Sequence, residues 1–260
     1  MTDPFAPTYQ ALIDRVPLPA EARIEGRRTR YRQADTELIG YRAIDSAQQG
    51  RRPAVLIVPD WYGAGPHPRA RAHMLARRGW LGFVVDVYGE GRVIPDDADA
   101  AAEASRYYRD PALLYARIRA AYDAVAGDPD VDPARIAILG FCFGGMAALE
   151  FTRHGDPLVA TASFHGTLIP HDPPDVDRIQ GSLLIAAGAE DEAVSDAELL
   201  AFEHELRSRP DLDWQVVLYA GAPHSFTVPG TDAYRPAADR RSWAALESLL
   251  TERFSGRPAD

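Results

Sequence analysis

The sequence contains no lysine, a single cysteine and no apolar run as long as a membrane span. Because Cys142 is the only cysteine, no disulfide can form within the chain, and a cytoplasmic location fits best. We expect no secretory signal peptide, since the first residues lack a basic segment followed by an apolar core. A membrane-spanning helix needs roughly 18 consecutive apolar residues, so none is predicted.

Acidic residues outnumber basic ones by 38 to 28, and the formal net charge at pH 7 is −10. A nucleic-acid-binding domain normally presents a basic face, so this balance argues against a nucleic-acid partner. The seven histidines show no metal-binding spacing, and the glycine-rich stretches match neither a phosphate-binding loop nor a dinucleotide fingerprint. We therefore predict neither a metal nor a cofactor.

What the sequence does contain is a regular alternation of short apolar strands with helical segments. It begins after a predicted antiparallel hairpin of strands 27–33 and 37–44. Strands are predicted at 54–58, 80–85, 135–139, 158–163, 183–187 and 214–219, and helices at 66–78, 95–126, 143–153, 195–208 and 237–254. The long segment 95–126 is expected to break into two helices at Asp110-Pro111. This order predicts an α/β fold with a mostly parallel central sheet and helices on both faces. We expect one domain over 23–260, preceded by an N-terminal arm over 1–22.

The cysteine stands in the stretch GFCFGG (140–145), directly after an apolar strand and before a helix. Strand, Gly-x-Cys-x-Gly and helix in that order form the nucleophile-elbow pattern, with cysteine where serine is more common. Gly140 and Gly144 leave room for the sharp turn, and the N-terminus of the following helix favours a thiolate at Cys142. The alternative is an inert buried cysteine in a glycine-containing loop.

An elbow of this kind predicts an acid and then a histidine, each after a later strand. Asp191 follows the strand LLIAA within the acidic turn Glu190-Asp191-Glu192, and His224 follows the strand VVLYA. Ligands of open α/β sheets bind at the carboxyl ends of the strands, so the three residues are expected to meet there. A solvated acidic turn and a non-catalytic loop histidine are the alternatives.

These motifs resemble those of the dienelactone hydrolase family within the α/β-hydrolase superfamily. The resemblance covers roughly residues 25–255 and is carried by GFCFGG, GAED, PHSF and PDWYG (59–63). It implies an α/β-hydrolase fold with about eight strands, and a hydrolase of ester or lactone bonds with a small-molecule substrate. The oligomeric state is expected to be monomer or homodimer.

The resemblance also assigns roles outside the triad. Asp60 occupies the place of an acidic residue, usually Glu, that lies beside the cysteine and helps to control its protonation; the alternative is an ordinary turn residue. The backbone N–H groups of Trp61 and Phe143 are expected to form the oxyanion hole. Tyr88 and His165 are expected to line the pocket, although His165 could instead be a structural loop histidine.

The sequence departs from the family pattern at the arginines that hold a substrate carboxylate. One of these positions is Val228 and the other is Glu90. Arg92 lies two residues after Glu90 and could replace the arginine that is missing there. Loss of both arginines argues against a small carboxylated dienelactone as the substrate.

The resulting hypothesis is a cysteine-dependent hydrolase that works through a thioester acyl-enzyme. Esters with good leaving groups, such as enols and phenols, should turn over best. Two alternatives stay open. One is a ligand-binding or redox-responsive relative with little hydrolase activity, and the other is an acyltransferase.

Overall fold

The computed structural model of the chain describes residues 5–256. The chain divides into two compact units, and the boundary falls between Ile136 and Ala137, within strand β5. The elements up to the boundary are α1 (Pro7–Ile13), β1 (Ile24–Gln33), β2 (Thr36–Asp45), β3 (Arg52–Val58), α2 (Pro66–Ala76), β4 (Leu81–Val84), α3 (Asp97–Arg109), α4 (Pro111–Ala126) and β5 (Val131–Phe141). The second unit continues with α5 (Phe143–Arg153), β6 (Ala160–Phe164), β7 (Ser182–Glu190), α6 (Asp196–Leu206), β8 (Trp214–Pro223) and α7 (Pro236–Phe254).

The strands of the described residues form one eight-stranded sheet in the order β1-β2-β4-β3-β5-β6-β7-β8. In the first unit, β2 pairs antiparallel with β1 and with β4, whereas β3 and β4 are parallel. In the second unit, β5, β6, β7 and β8 are successive parallel neighbours. The predicted fold class, a mostly parallel sheet with accompanying helices, is confirmed.

Strand β3 shows why the parallel strands read as continuous apolar runs. All seven of its residues are buried, as expected of a strand that is covered on both faces. Even Arg52 is buried, because its guanidinium donates to the backbone carbonyls of Asp45, Gln48 and Gly50. The carbonyls thereby satisfy a charge that would otherwise be costly to bury.

Two predicted helix boundaries have clear local causes. The predicted break before Pro111 is present, because Asp110 caps α4 by accepting a hydrogen bond from the N–H of Leu113 at 2.9 Å. At the start of α6, Ser195 and Glu198 form the predicted capping box, in which each side chain accepts from the other residue's backbone N–H. These caps fix where the two helices begin.

Helix α1 lies in the segment that we expected to be an arm, and the sequence pattern did not indicate it. Leu12, Ile13 and Val16 are buried. Arg77, at the end of α2, donates to the carbonyls of Ile13 and Val16 at 3.1 and 2.8 Å and pairs with Asp14. A distant cation thus satisfies the last carbonyl of this seven-residue helix and a carbonyl in the segment that follows it.

Candidate active site

The backbone at Cys142 forms a sharp turn between β5 and α5. Cys142 has φ 54° and ψ −120°, a combination that non-glycine residues seldom adopt and that costs about 1–3 kcal/mol. A Cβ at Gly140 would overlap the carbonyl group of Gly144, so only glycine fits there. The turn therefore has the strained geometry that the GFCFGG pattern predicts.

A backbone hydrogen bond holds this turn against the end of the neighbouring strand β6. The N–H of Cys142 donates to the carbonyl of Phe164 at 3.0 Å. A Cβ at Gly145 would lie 2.6 Å from the Oγ of Ser163 and 2.9 Å from the Cα of Gly166. Sequence reasoning missed this requirement for Gly145, because it depends on how closely α5 approaches the end of β6.

Three of the predicted residues are brought together at the carboxyl ends of the parallel strands. The Nε2 of His224, directly after β8, lies 3.0 Å from the Sγ of Cys142. The Nδ1 of the same ring lies 3.0 Å from both carboxylate oxygens of Asp191, directly after β7. The imidazole thus bridges the carboxylate and the sulfur, each within hydrogen-bond distance.

Burial distinguishes Asp191 from the acids that flank it. Glu190 and Glu192 are exposed, whereas Asp191 is buried and its Oδ1 also accepts the N–H of Ala193 at 2.9 Å. This second hydrogen bond fixes the orientation of the carboxylate towards His224. The acid that contacts the histidine is therefore the one that the sequence pattern favoured.

The environment of His224 favours its charged form. Burial alone would lower its pKa, but the hydrogen bonds and charges of Asp191 and Cys142 outweigh burial and raise the pKa from 6.5 to about 10. The side chain of His224 is 29% exposed, whereas that of Asp191 is almost fully buried. At neutral pH these conditions favour an imidazolium.

His165, predicted to line the pocket, lies beside the ring of His224. It follows β6, is buried, and has a positive φ of 41°. Its ring packs edge-to-face against that of His224, with ring centroids 5.3 Å apart. Its Nε2 lies 2.7 Å from the Oγ1 of Thr227, a buried residue that sequence reasoning missed.

Asp60, Trp61 and Tyr88 belong to the first unit. Asp60 is buried, and its Oδ1 accepts the N–H of Tyr62 at 3.0 Å, while its Oδ2 lies 4.0 Å from the Nδ1 of His67. The hydroxyl of Tyr88 donates to the carbonyl of Trp61 at 2.8 Å, which holds the peptide that follows Trp61. The roles of Asp60 beside the thiol and of the Trp61 N–H as an oxyanion donor stay predictions.

Arg92 is also in the first unit and is about half exposed. Its guanidinium lies 3.4 Å from a carboxylate oxygen of Glu103. Glu103 therefore already gives Arg92 a negatively charged partner. That Arg92 replaces the family's carboxylate-binding arginines stays a prediction. At the two family positions, Glu90 is exposed and Val228 is half-buried.

No helix within 5–256 is long and apolar enough to cross a membrane. In the same part of the chain, no group of three or more histidine, cysteine, aspartate or glutamate side chains is arranged to hold a metal ion.

Comparison with known proteins places the chain in a family. The model of the dienelactone hydrolase family matches residues 39–254. A putative carboxymethylenebutenolidase of Synechocystis sp. is 27% identical, with 82% of this chain and 91% of that protein covered. A probable 2-oxo-3-(5-oxofuran-2-ylidene)propanoate lactonase of Bradyrhizobium sp. is 27% identical, with 75% and 81% covered.

A solved structure agrees with these matches. The crystal structure of a dienelactone hydrolase-like promiscuous phosphotriesterase from metagenomic libraries is 36% identical. It superposes with a TM-score of 0.84 over 89% of this chain and 99% of its own. The predicted α/β-hydrolase fold is confirmed. The chain belongs to the dienelactone hydrolase family and is a hydrolase that acts on ester or lactone bonds.

Proposed function

We propose that Cys142, His224 and Asp191 are the nucleophile, base and orienting acid of a thioester-forming hydrolase. The observation that carries the proposal is the position of His224, whose Nε2 lies 3.0 Å from Sγ and whose Nδ1 lies 3.0 Å from the carboxylate. This arrangement matches the roles of a catalytic triad: one nitrogen faces the nucleophile and the other is held by an acid. The reduced thiol that such an enzyme needs fits the expected cytoplasmic location.

In the proposed resting state, the imidazole of His224 carries a proton and lies 3.0 Å from the sulfur of Cys142. The raised pKa of His224 favours its imidazolium form at neutral pH, and a positive charge beside a cysteine promotes the thiolate, which is the reactive form. The N-terminus of α5, which begins at the next residue, adds its partial positive charge near the sulfur. Cys142 therefore starts each cycle as an activated nucleophile.

Acylation begins when the thiolate attacks the ester carbonyl and forms a C–S bond. The carbonyl electrons move onto oxygen, and the N–H of Phe143 at the first position of α5 is the donor that the second unit offers to this oxyanion. When the carbonyl re-forms, the C–O bond to the leaving group breaks. Nε2 of His224 then gives its proton to the departing oxygen, and a thioester remains on Cys142.

Deacylation reverses the roles of the same groups. Neutral His224 accepts a proton from water as the water oxygen attacks the thioester carbonyl. The C–S bond breaks, the acid product leaves, and the proton stays on His224 beside the restored thiolate. Asp191 holds the ring in one tautomer through both steps and stabilises its positive charge.

The sulfur nucleophile sets the class of substrate. A tetrahedral intermediate expels its better leaving group, and a thiol with a pKa of about 8.5 leaves far more readily than a simple alcohol. Attack on an alkyl ester would mostly revert, whereas enol, phenol and strained lactone esters would go forward. The names of the two relatives above, a butenolidase and a lactonase, agree with this preference.

The first experiment compares hydrolysis of p-nitrophenyl acetate by the wild type, Cys142→Ala and Cys142→Ser. We expect no enzymatic rate with alanine and a severely reduced rate with serine. The wild type should also cleave phenyl acetate much faster than ethyl acetate. Equal rates in wild type and Cys142→Ala would refute the proposal. Added alcohols or amines that divert the acyl group would instead indicate an acyltransferase.

A second candidate activity is hydrolysis of aryl phosphotriesters. The 36%-identical structural relative is described as a promiscuous phosphotriesterase. At a triester, the sulfur of Cys142 would form a P–S bond as the aryloxide leaves, and water would then cleave that bond. Diethyl p-nitrophenyl phosphate tests this candidate. Release of p-nitrophenol by the wild type that is lost in Cys142→Ala is expected, and no release by the wild type would rule it out.

A further inference from the structure

The segment Phe164–Gly166 contacts both the nucleophile and the base of the proposed site. Through its carbonyl, Phe164 accepts the backbone N–H of Cys142 at 3.0 Å. Gly166 packs directly against Gly145 in the first turn of α5. Between them, His165 points its ring at His224. One short segment therefore relates the position of the elbow to that of the imidazole.

His165 is held in place at both its backbone and its ring. Its backbone N–H donates to the carbonyl of Ala186 on β7 at 2.8 Å, and its φ of 41° is unusual for a non-glycine residue. Its Nε2 pairs with the hydroxyl of Thr227 at 2.7 Å, and both side chains are buried. An unusual backbone angle maintained by such contacts is frequent where a residue serves a functional site.

The hydrogen bonds of His224 leave one of its motions undetermined. Bonds from Nδ1 to Asp191 and from Nε2 to Cys142 fix the line through the two nitrogens. Rotation about the two side-chain torsions of His224 could still swivel the ring, which would strain both bonds and turn the lone pair or proton of Nε2 away from the sulfur. The edge-to-face contact with His165, at 5.3 Å between centroids and 70° between planes, opposes this swivel.

We propose that His165, held by Thr227, is a positioning residue that fixes the plane of the His224 ring between Asp191 and Cys142. The proposal rests on the triad proposed above and deepens it by adding two residues. Neither needs to touch the substrate. Among the described residues of the second unit, the titratable groups that contact the His224 ring are Cys142 on the elbow, Asp191 after β7 and His165 after β6.

The test uses pairs of variants that separate positioning from folding. Thr227→Val removes the hydroxyl at nearly constant volume, and Thr227→Ser restores it. His165→Asn removes the ring, and asparagine tolerates a positive φ better than most residues. Circular dichroism first establishes that each variant is folded. The kinetic constants for p-nitrophenyl acetate are then measured, together with the pH dependence of Cys142 alkylation by iodoacetamide.

We expect Thr227→Val to lower kcat about 10-fold and His165→Asn about 100-fold, with little change in KM, because a small misplacement of a catalytic group has effects of this size. Alkylation should shift towards the pH profile of an ordinary thiol in both variants. Thr227→Ser should recover most of the wild-type rate. Folded variants with wild-type kcat and alkylation profiles, while Cys142→Ala is inactive, would overturn this inference and leave the triad intact. An active Cys142→Ala enzyme would instead refute the proposed triad.

Discussion

His73 and His224 are both largely buried, one in each unit, and their surroundings shift their pKa values in opposite directions. On α2, burial and the nearby charge of Arg77 lower the pKa of His73 from 6.5 to about 4. After β8, burial also disfavours the charged form of His224, yet Asp191 and Cys142 raise its pKa to about 10. The two rings show that the groups around a buried histidine, more than its burial, determine whether it is protonated.

The hydrogen-bond partners explain the contrast. The Nε2 of His73 lies 2.8 Å from the hydroxyl of Tyr41, and such a neutral group adds no charge to favour an imidazolium. The two nitrogens of His224 face a carboxylate and a sulfur. The first arrangement suits a packed structural ring, and the second suits a group that must carry a proton. Each of the following changes alters one side of this comparison.

The largest expected effect comes from neutralising the acid beside His224. Asp191→Asn removes the charge and the tautomer control, so we expect kcat for p-nitrophenyl acetate to fall on the order of 10³-fold. Steady-state kinetics at pH 7 measures this loss. Glu192→Gln is the matched control, because that acid is adjacent but exposed, and it should stay within about twofold of wild type. A full-rate Asp191→Asn enzyme would contradict the assigned role.

The next effect concerns stability in acid and arises at His73. The unfolded chain takes up this proton near pH 6.5, whereas the folded protein does so only near pH 4. Between these values the unfolded state binds more protons, so the free energy of unfolding falls by roughly 3 kcal/mol as the pH drops from 6.5 to 4.

Urea denaturation of wild type and His73→Gln across this pH range isolates that contribution. Glutamine cannot titrate but can still reach Tyr41, and all the carboxylates are common to both proteins. We expect the stability difference between the two proteins to change with pH in favour of the variant as acid is added. A pH-independent difference would show that His73 is not held neutral.

A third substitution measures how much the sulfur of Cys142 contributes to the raised pKa of His224. In Cys142→Ala the carboxylate remains while the sulfur is lost, so the pKa of His224 should fall below about 10 yet stay above its ordinary 6.5. Titration of the imidazole followed by NMR measures this shift. A pKa unchanged by the substitution would mean that the sulfur carries no negative charge in the resting enzyme.

The same raised pKa has a consequence for stability in base. The folded protein holds the His224 proton from pH 6.5 up to about 10, where the unfolded chain has already released it. This stabilising contribution is complete below pH 6.5 and is lost as the pH rises towards 10. The loss should be smaller in Asp191→Asn.

The smallest expected effect is at the hydroxyl beside His73. Tyr41→Phe removes one buried hydrogen bond, which should lower the free energy of unfolding by about 1 kcal/mol. Esterase activity should be unchanged, since neither residue belongs to the proposed site. Chemical denaturation and the p-nitrophenyl acetate assay together check both expectations.

Much of the fold could be predicted because local signals agree with the final structure. The Asp110-Pro111 break and the Ser195 capping box are short-range features, and the helix 143–153 was predicted with the bounds it has. Helix α1 escaped prediction because a cation far along the chain, Arg77, satisfies its last carbonyl and that of Val16 just beyond it. No sequence pattern within α1 encodes that contact.

The candidate site likewise contains residues that the sequence predicted and residues that it did not. Cys142, Asp191 and His224 could be predicted together, since each follows a strand and the carboxyl ends of parallel strands meet at one edge. Thr227 could not, because its hydrogen bond to His165 joins residues that are 62 positions apart in sequence. The need for glycine at 145 likewise depends on the approach of β6 to α5, which periodicity does not reveal.

The most direct test of the central claim is mass spectrometry of the enzyme quenched with acid during turnover of p-nitrophenyl acetate. We expect an acetyl group attached to Cys142, enriched in Asp191→Asn if deacylation slows more than acylation, and absent from Cys142→Ala. An acetyl group on another residue, together with an active Cys142→Ala enzyme, would contradict the assignment of Cys142 as the nucleophile.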